Sequence, residues 1–347
     1  MLFGRRDIPV YSSVVHWIPK PGRSRVAVII ACAVAGGTLG ASAGPAFRLP
    51  QTGTPASAPQ SRPAATQPAG PRPFQPGVSI DWQQREVRAD GVVVLREGPL
   101  EYVACFRGKE HESIVRLTAA AAHIAMALGL IGLTPGHPPR WEETQQRYAP
   151  PAGDLVDVAF EWQDEAGRTQ TAPAFAWLRE VEYARAAIDR PWVFAGSRRM
   201  EDGSLAADRS GSGLAIVDDG DCLLALTRSH TSRNEELWAL ADAAAIPSLR
   251  TRVTLVLRAA RPRSYAVAVD FRGTARVDGR YVADEDLADL IGLALRLDPA
   301  YVQKITCENS LRSDVAAVQR RLLLAGVPAA ALHWGADTPT GGPQSAP

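Results

Sequence analysis

The stretch Gly44–Gly77, GPAFRLPQTGTPASAPQSRPAATQPAGPRPFQPG, sets the first limit on what this chain can fold into. It carries nine prolines, no acidic residue and almost no large apolar side chain. Such a segment cannot bury enough surface to offset the entropy of ordering it. The expectation is an extended tether over 44–77. A shorter tail of the same kind is expected over 335–347.

What precedes the tether reads as an export signal. Arg5, Arg6, Lys20, Arg23 and Arg25 come before VAVIIACAVA, and GGTLGASA then offers Ala41 and Ala43 as small residues for cleavage before Gly44. The apolar run is about ten residues, half of what a membrane span needs. Residues 1–43 are therefore read as a signal peptide, with an uncleaved N-terminal anchor as the alternative. The protein is expected to be exported, in the periplasm or associated with the envelope.

Export governs how the cysteines are read. After cleavage Cys105, Cys222 and Cys307 remain, an odd number, so at most one intramolecular pair can form. No C-x-x-C spacing occurs and four thiolates for an iron–sulfur cluster are lacking. They are read as small buried hydrophobes, and no cofactor is expected. A formal charge of +1 supplies no field to recruit nucleic acid, which is excluded as a favoured partner.

The remaining sequence divides in two. Over 78–260, GPLEYVACF and HESIVRL read as strands joined by RGKE in a hairpin. TAAAAHIAMALGLIGL reads as a helix capped by Thr118, with Ile124, Leu128 and Ile131 on one face. LVDVAFEW, PWVFAG, GLAIVDD, CLLAL and RVTLVLRAA are further strands, and RNEELWALADAAAI is a short helix ended by Pro247. From Ser264 to Trp334 the pattern becomes regular: a hairpin SYAVAVDF–RG–TARVDG, then a helix with Leu287, Leu290, Ile291 and Ala294 on one face. The strand VQKITCE follows, then a helix capped by Ser313 and closed by Gly326, and a last strand AAALHW. The fold class expected is α+β in two domains: an irregular one, and a small two-layer ββαβαβ unit of about 70 residues.

Both parts resemble known families. REGPLEYVACFRGKEHESI, GLIGLTPG, RPWVFAGS, ADRSG and NEELW…IPSLRTRVTLVL, in that order, make 78–260 similar to the YdjY domain family. That family carries no established activity to transfer. Asp218 and Asp219 depart from it, standing where an apolar, asparagine-containing turn is expected. VAVDFRGTARVDGRYVADEDLADLI and DVAAVQRRLLLAGVPAAAL make 264–334 similar to the periplasmic domain of the ExbD/TolR family. This second resemblance implies association with an envelope protein or a cell-wall component, or self-association through the C-terminal domain. The family's membrane helix is missing before Ser264, so motor work is not implied.

The densest chemistry lies in CFRGKEHES, Cys105 to Ser113. A zinc-protease motif fails because Val115, not histidine, stands four residues after His111. A two-residue turn at Gly108–Lys109 would pair Cys105 with Glu112 and Phe106 with His111, which puts thiol and imidazole on opposite faces and opposes a Cys–His nucleophile. Lys109, His111, Glu112 and Ser113 then form a polar cluster at a hairpin tip, with Tyr102 on the face of His111. These five are the candidate ligand- or partner-binding residues; the bland alternative is a solvated turn. Lys109 is one of only three lysines among 38 basic residues. RSGSG, Arg209–Gly213, reads as a flexible turn rather than an anion cradle, and Trp192 as core. The function expected is non-catalytic binding or scaffolding in the envelope. The alternative is an enzyme, or a metal or ligand carrier, built on Lys109–Ser113.

Overall fold

The computed structural model describes residues 70–336, apart from 183–184, 234–235 and 308–311 and the side-chain surroundings of 312, 313 and 336. The expected signal peptide, most of the tether, the tail beyond 336 and the Ser313 cap lie outside the described residues. The described residues fall in one compact unit. Its architecture is α+β, rich in strands and with four α-helices among the described residues.

The main sheet runs Arg72–Gln75, Val78–Asp81, Glu86–Val93, Arg252–Ala259, Leu155–Gln163, Trp192–Phe194, Leu224–Ala225, Leu214–Ala215, Tyr102–Cys105, Ser113–Leu117. Ser113–Leu117 then pairs back onto Glu86–Val93, through Gly91↔Leu117 and Val93↔Val115. Eight strands thereby close into a ring. Alternation in Glu86–Val93 sends Val87, Ala89 and Val93 inward, against Phe160, Leu255 and Leu257. Trp177 stacks on Phe160 at 4.4 Å, within the same core. The first strand, Arg72–Gln75, lies inside the proline-rich stretch, so the folded region begins before Val78. It is an edge strand, where proline's missing N–H is tolerated.

The expected hairpin at Cys105–Ser113 does not form. Tyr102–Cys105 and Ser113–Leu117 are parallel neighbours, with Tyr102 beside Ser113 and Ala104 beside Val115. Seven residues, turned by the 3-10 helix Glu110–Glu112, carry the chain back between them. The physical reason is burial: all four residues of the first strand and four of five in the second are buried, the signature of strands covered on both faces.

The helix α1 spans Ala121–Leu130, two residues later than a Thr118 cap would start it. Ile124, Leu128 and Ile131 are buried as expected. Its free N–H groups are met from across the fold: Asp208 accepts from Ala121 N at 2.6 Å and from Ala122 N at 3.2 Å. Asp208 belongs to the short helix α2, Ala206–Ser210. The expected helix over RNEELWALADAAAI is also corrected: Ala239–Ala241 is a strand paired with Leu178–Glu180, and Asn234 and Glu235 lie outside the described residues. Here tertiary pairing overrides the helix propensity of Ala and Leu.

The C-terminal region has the expected element order, with one extra short strand, Arg280–Tyr281. Its five strands run Arg280–Tyr281, Ala275–Val277, Val267–Val269, Gln303–Cys307, Leu332–Ala336. The helices α3, Asp284–Leu297, and α4, Arg312–Leu324, contribute Leu287, Leu290, Ile291, Val318 and Leu322 to the core formed with this sheet. Gly326, at φ 91, ends α4 with Val327 N donating to Leu322 O and Gly326 N to Leu323 O. A second face of α3 meets the main sheet: Leu293 packs with Leu155 and Val193, and Arg296 donates to Gly153 O at 2.9 Å. The two sequence regions therefore share α3 as a common wall. No described helix is long and apolar enough to cross a membrane.

Candidate functional site

The five sequence candidates are brought together, but not as a hairpin tip. Tyr102 and Ser113 are buried side by side in the parallel pair. Ser113 Oγ donates to Lys109 O at 2.7 Å, and Tyr102 Oη donates to Asp219 at 2.6 Å. Lys109 Nζ lies 2.8 Å from Glu112 Oε1 and 5.1 Å from the centroid of the Tyr102 ring. His111 points away, its side chain 76% exposed, with Nε2 3.6 Å from Glu112 Oε2.

Lys109 is the cation of an acidic bowl. Burial works against its charge, yet Glu112, Glu101 and Asp219 together hold the ammonium above its ordinary pKa. Glu101 is raised, by burial first and Glu112 next. Burial and the neighbouring Asp219 push the Tyr102 phenol far up, so it stays a hydrogen-bond donor. Asp218 repeats the device, accepting from Tyr148 Oη at 2.6 Å and from Ser229 Oγ. Asp218 and Asp219 thus bolt their turn to two strands, Arg147–Ala149 and Tyr102–Cys105.

Burial pushes the Cys105 thiol up to about 11, and Cys222 is likewise raised by burial. Neither is poised as a thiolate nucleophile. RSGSG is a packing element, not a loose turn: a side chain at Gly213 would meet Ala104 O at 2.2 Å, and Gly211, at φ 83, ends α2 while its carbonyl accepts from Phe106 N. Trp192 is fully buried core. Among the described residues no group of three or more His, Cys, Asp or Glu is arranged to hold a metal ion.

A second constellation was missed by sequence reasoning. Between the main unit and the start of α3 lies a cleft of about 460 Å³, lined by Leu226, His230, Trp238, Arg190, Arg228 and Asp286 among others. His230 stacks on Trp238, 4.9 Å between centroids and 25° between planes. Trp238 Nε1 donates to Ile216 O at 2.8 Å, which fixes the indole. Burial first, then Arg228 and Arg190, lowers the pKa of His230 to about 4, so the ring is neutral near pH 7. Asp286 pairs with Arg228 and, at 3.8 Å, with Arg190, whose buried Nε has no acceptor among the described residues. In the sequence, DEDLAD reads only as acids complementing a helix dipole. The pairing of Asp286 needs residues about 60 to 100 positions away, beyond the reach of local pattern.

The described residues thus form a closed mixed sheet, braced by Tyr–Asp hydrogen bonds, that shares a helix with a smaller sheet. Residues 78–258, just over half of the 347, match the YdjY domain, and the chain belongs to the YdjY domain family. The blocks that carry the likeness meet in space: Asp208 of ADRSG caps α1, and Gly196 of PWVFAG packs on Pro135 of TPG. The match ends at Arg258 and gives no support to the ExbD/TolR resemblance of 264–334. No curated protein and no solved structure matches the chain.

Proposed function

We propose that this is an exported, non-catalytic binding protein of the cell envelope, in which the YdjY domain and an ExbD/TolR-like C-terminal region share one ligand cleft. The observation behind it is the neutral His230–Trp238 stack facing the α3 N-terminus across the 460 Å³ cleft. Clefts of this size, between packed regions, with apolar walls and a few convergent charged groups, suit small ligands. A flat aromatic wall bordered by Arg228 and Asp286 matches a sugar ring, whose C–H face stacks while its hydroxyls bond to the charged rim. The ligand class is therefore a saccharide of the cell wall. The full chain should co-sediment with purified cell-wall sacculi. His230→Ala, which leaves the Trp238–Ile216 bond in place, should weaken that binding by about tenfold, or 1.4 kcal/mol. Wild-type protein that stays in the supernatant would sink the reading.

A second reading keeps Lys109, His111, Glu112, Ser113 and Tyr102 as a partner-binding set. It rests on the exposed His111 ring held beside Glu112. His111→Ala should shift stability by less than about 0.5 kcal/mol, as surface substitutions do, and abolish capture of an envelope partner in a pull-down. A stable variant that still captures the same partner leaves the segment a structural clasp. The enzyme or carrier alternative rests on Lys109–Ser113 and draws no support from Cys105, whose buried thiol is raised.

A further inference from the structure

We propose that the outer face of the closed sheet carries a phosphate-binding trough, separate from the His230–Trp238 cleft. On that face Val92 has Arg116 as its register partner on one side and Arg252 on the other. With strands about 4.8 Å apart, the two arginines stand about 10 Å apart at Cα, close enough for both guanidinium groups to reach one oxyanion. Arg250 lines the same trough, of about 760 Å³, held at φ 66 with its N–H donating to Val93 O.

Charge is segregated along this face. At one end Arg88 is fully matched, by Glu86 at 2.7 Å and by Glu161. At the other end Arg116 has only Glu110, at 3.8 Å, and neither Arg250 nor Arg252 is in an ion pair among the described residues. Asp90 is the one further acid of the trough and forms no ion pair there. Against Glu110 and Asp90, the three guanidinium groups leave about one positive charge in excess at this end of the concave surface. Val92, Thr118 and Thr254 line the trough beside them, and Trp162 and Gln163 line it further along. The guanidinium fork matches phosphate oxygens two at a time, and three such forks exceed what a single carboxylate can accept. Charge complementarity thus points to a phosphate-bearing ligand.

Calorimetric titration of the full chain with tripolyphosphate at low ionic strength tests this. Wild type should bind, more weakly as sodium chloride is added. Arg116→Gln/Arg252→Gln should bind at least about tenfold more weakly with an unchanged melting temperature, whereas Arg168→Gln, on an exposed turn, should bind normally. If the glutamine pair fails to fold, Arg116→Lys/Arg252→Lys keeps the charge and removes the fork, and should still lose affinity. No binding by wild type at millimolar tripolyphosphate overturns the proposal. So does undiminished binding by a folded variant, or equal binding of poly-glutamate.

Discussion

Replacing Arg190 with alanine is expected to destabilise the protein by about 3–5 kcal/mol, the usual loss when one partner of a buried ion pair is removed. Arg190 is 9% exposed and sits 3.2 Å from Asp289. Asp289 is partly buried, and desolvation raises its pKa, with Arg190 and then Thr227 opposing that rise. Without the guanidinium, Asp289 keeps the Thr227 hydroxyl, at 2.9 Å, and the charge of the neighbouring Arg228. The folded-state pKa then climbs further above the unfolded value, so the folded state holds an extra proton over that interval. Stability must fall as pH rises through it. Urea titration at pH 5 and pH 8 should show the larger deficit at pH 8. An apolar pair, Arg190→Met/Asp289→Leu, should recover most of the loss, because both desolvation penalties disappear together. A deficit below about 1 kcal/mol for Arg190→Ala would mean that this pair does not hold the seam.

The same seam shows where sequence reading succeeds and where it stops. Leu287, Leu290, Ile291 and Ala294 are legible because a 3.6-residue period marks the face that α3 turns to its own sheet. Leu293, Asp286 and Asp289 on its other face meet Val193, Arg228 and Arg190, and no local period encodes a partner that distant. The strands Leu155–Gln163 and Arg252–Ala259 were plain from alternation and β-branched content. The hairpin error has a readable cause: the unbroken burial of Tyr102–Cys105 is the mark of a parallel strand, while RGKE mimics a tight turn. Convergence of the five candidate residues followed from proximity in the chain. Their real counter-ions, Glu101 and Asp219, were not: Asp219 arrives through the strand Leu214–Ala215, which pairs with Tyr102–Cys105. The trough of Arg116 and Arg252 likewise needs the closure of the ring onto Glu86–Val93 before the two arginines become neighbours of Val92.

The acidic bowl yields the second large effect. Lys109→Met should cost about 2 kcal/mol at pH 8, below the figure for a fully buried pair because solvent screens a side chain 29% exposed. Methionine roughly preserves the length and apolar stem of lysine, so the loss should be electrostatic rather than steric. With the ammonium gone, Glu101, Glu112 and Asp219 face one another without a counter-ion. Glu101 is already raised in the native protein, by burial and then Glu112, and losing the opposing Lys109 raises it more. The folded variant therefore binds more protons than its unfolded chain just above the ordinary carboxylate range, and its stability rises as pH falls through that range. Thermal unfolding from pH 8 to pH 4 should close most of the gap to wild type. The wild type behaves differently at the alkaline end. Because the Lys109 pKa is raised, its contribution is complete below the unfolded lysine value of about 10.4 and is lost only as pH climbs through the higher folded value. A Lys109→Met deficit of equal size at pH 4 and pH 8 would show that the side chain acts by packing on Tyr102 alone, and that the three acids need no cation between them.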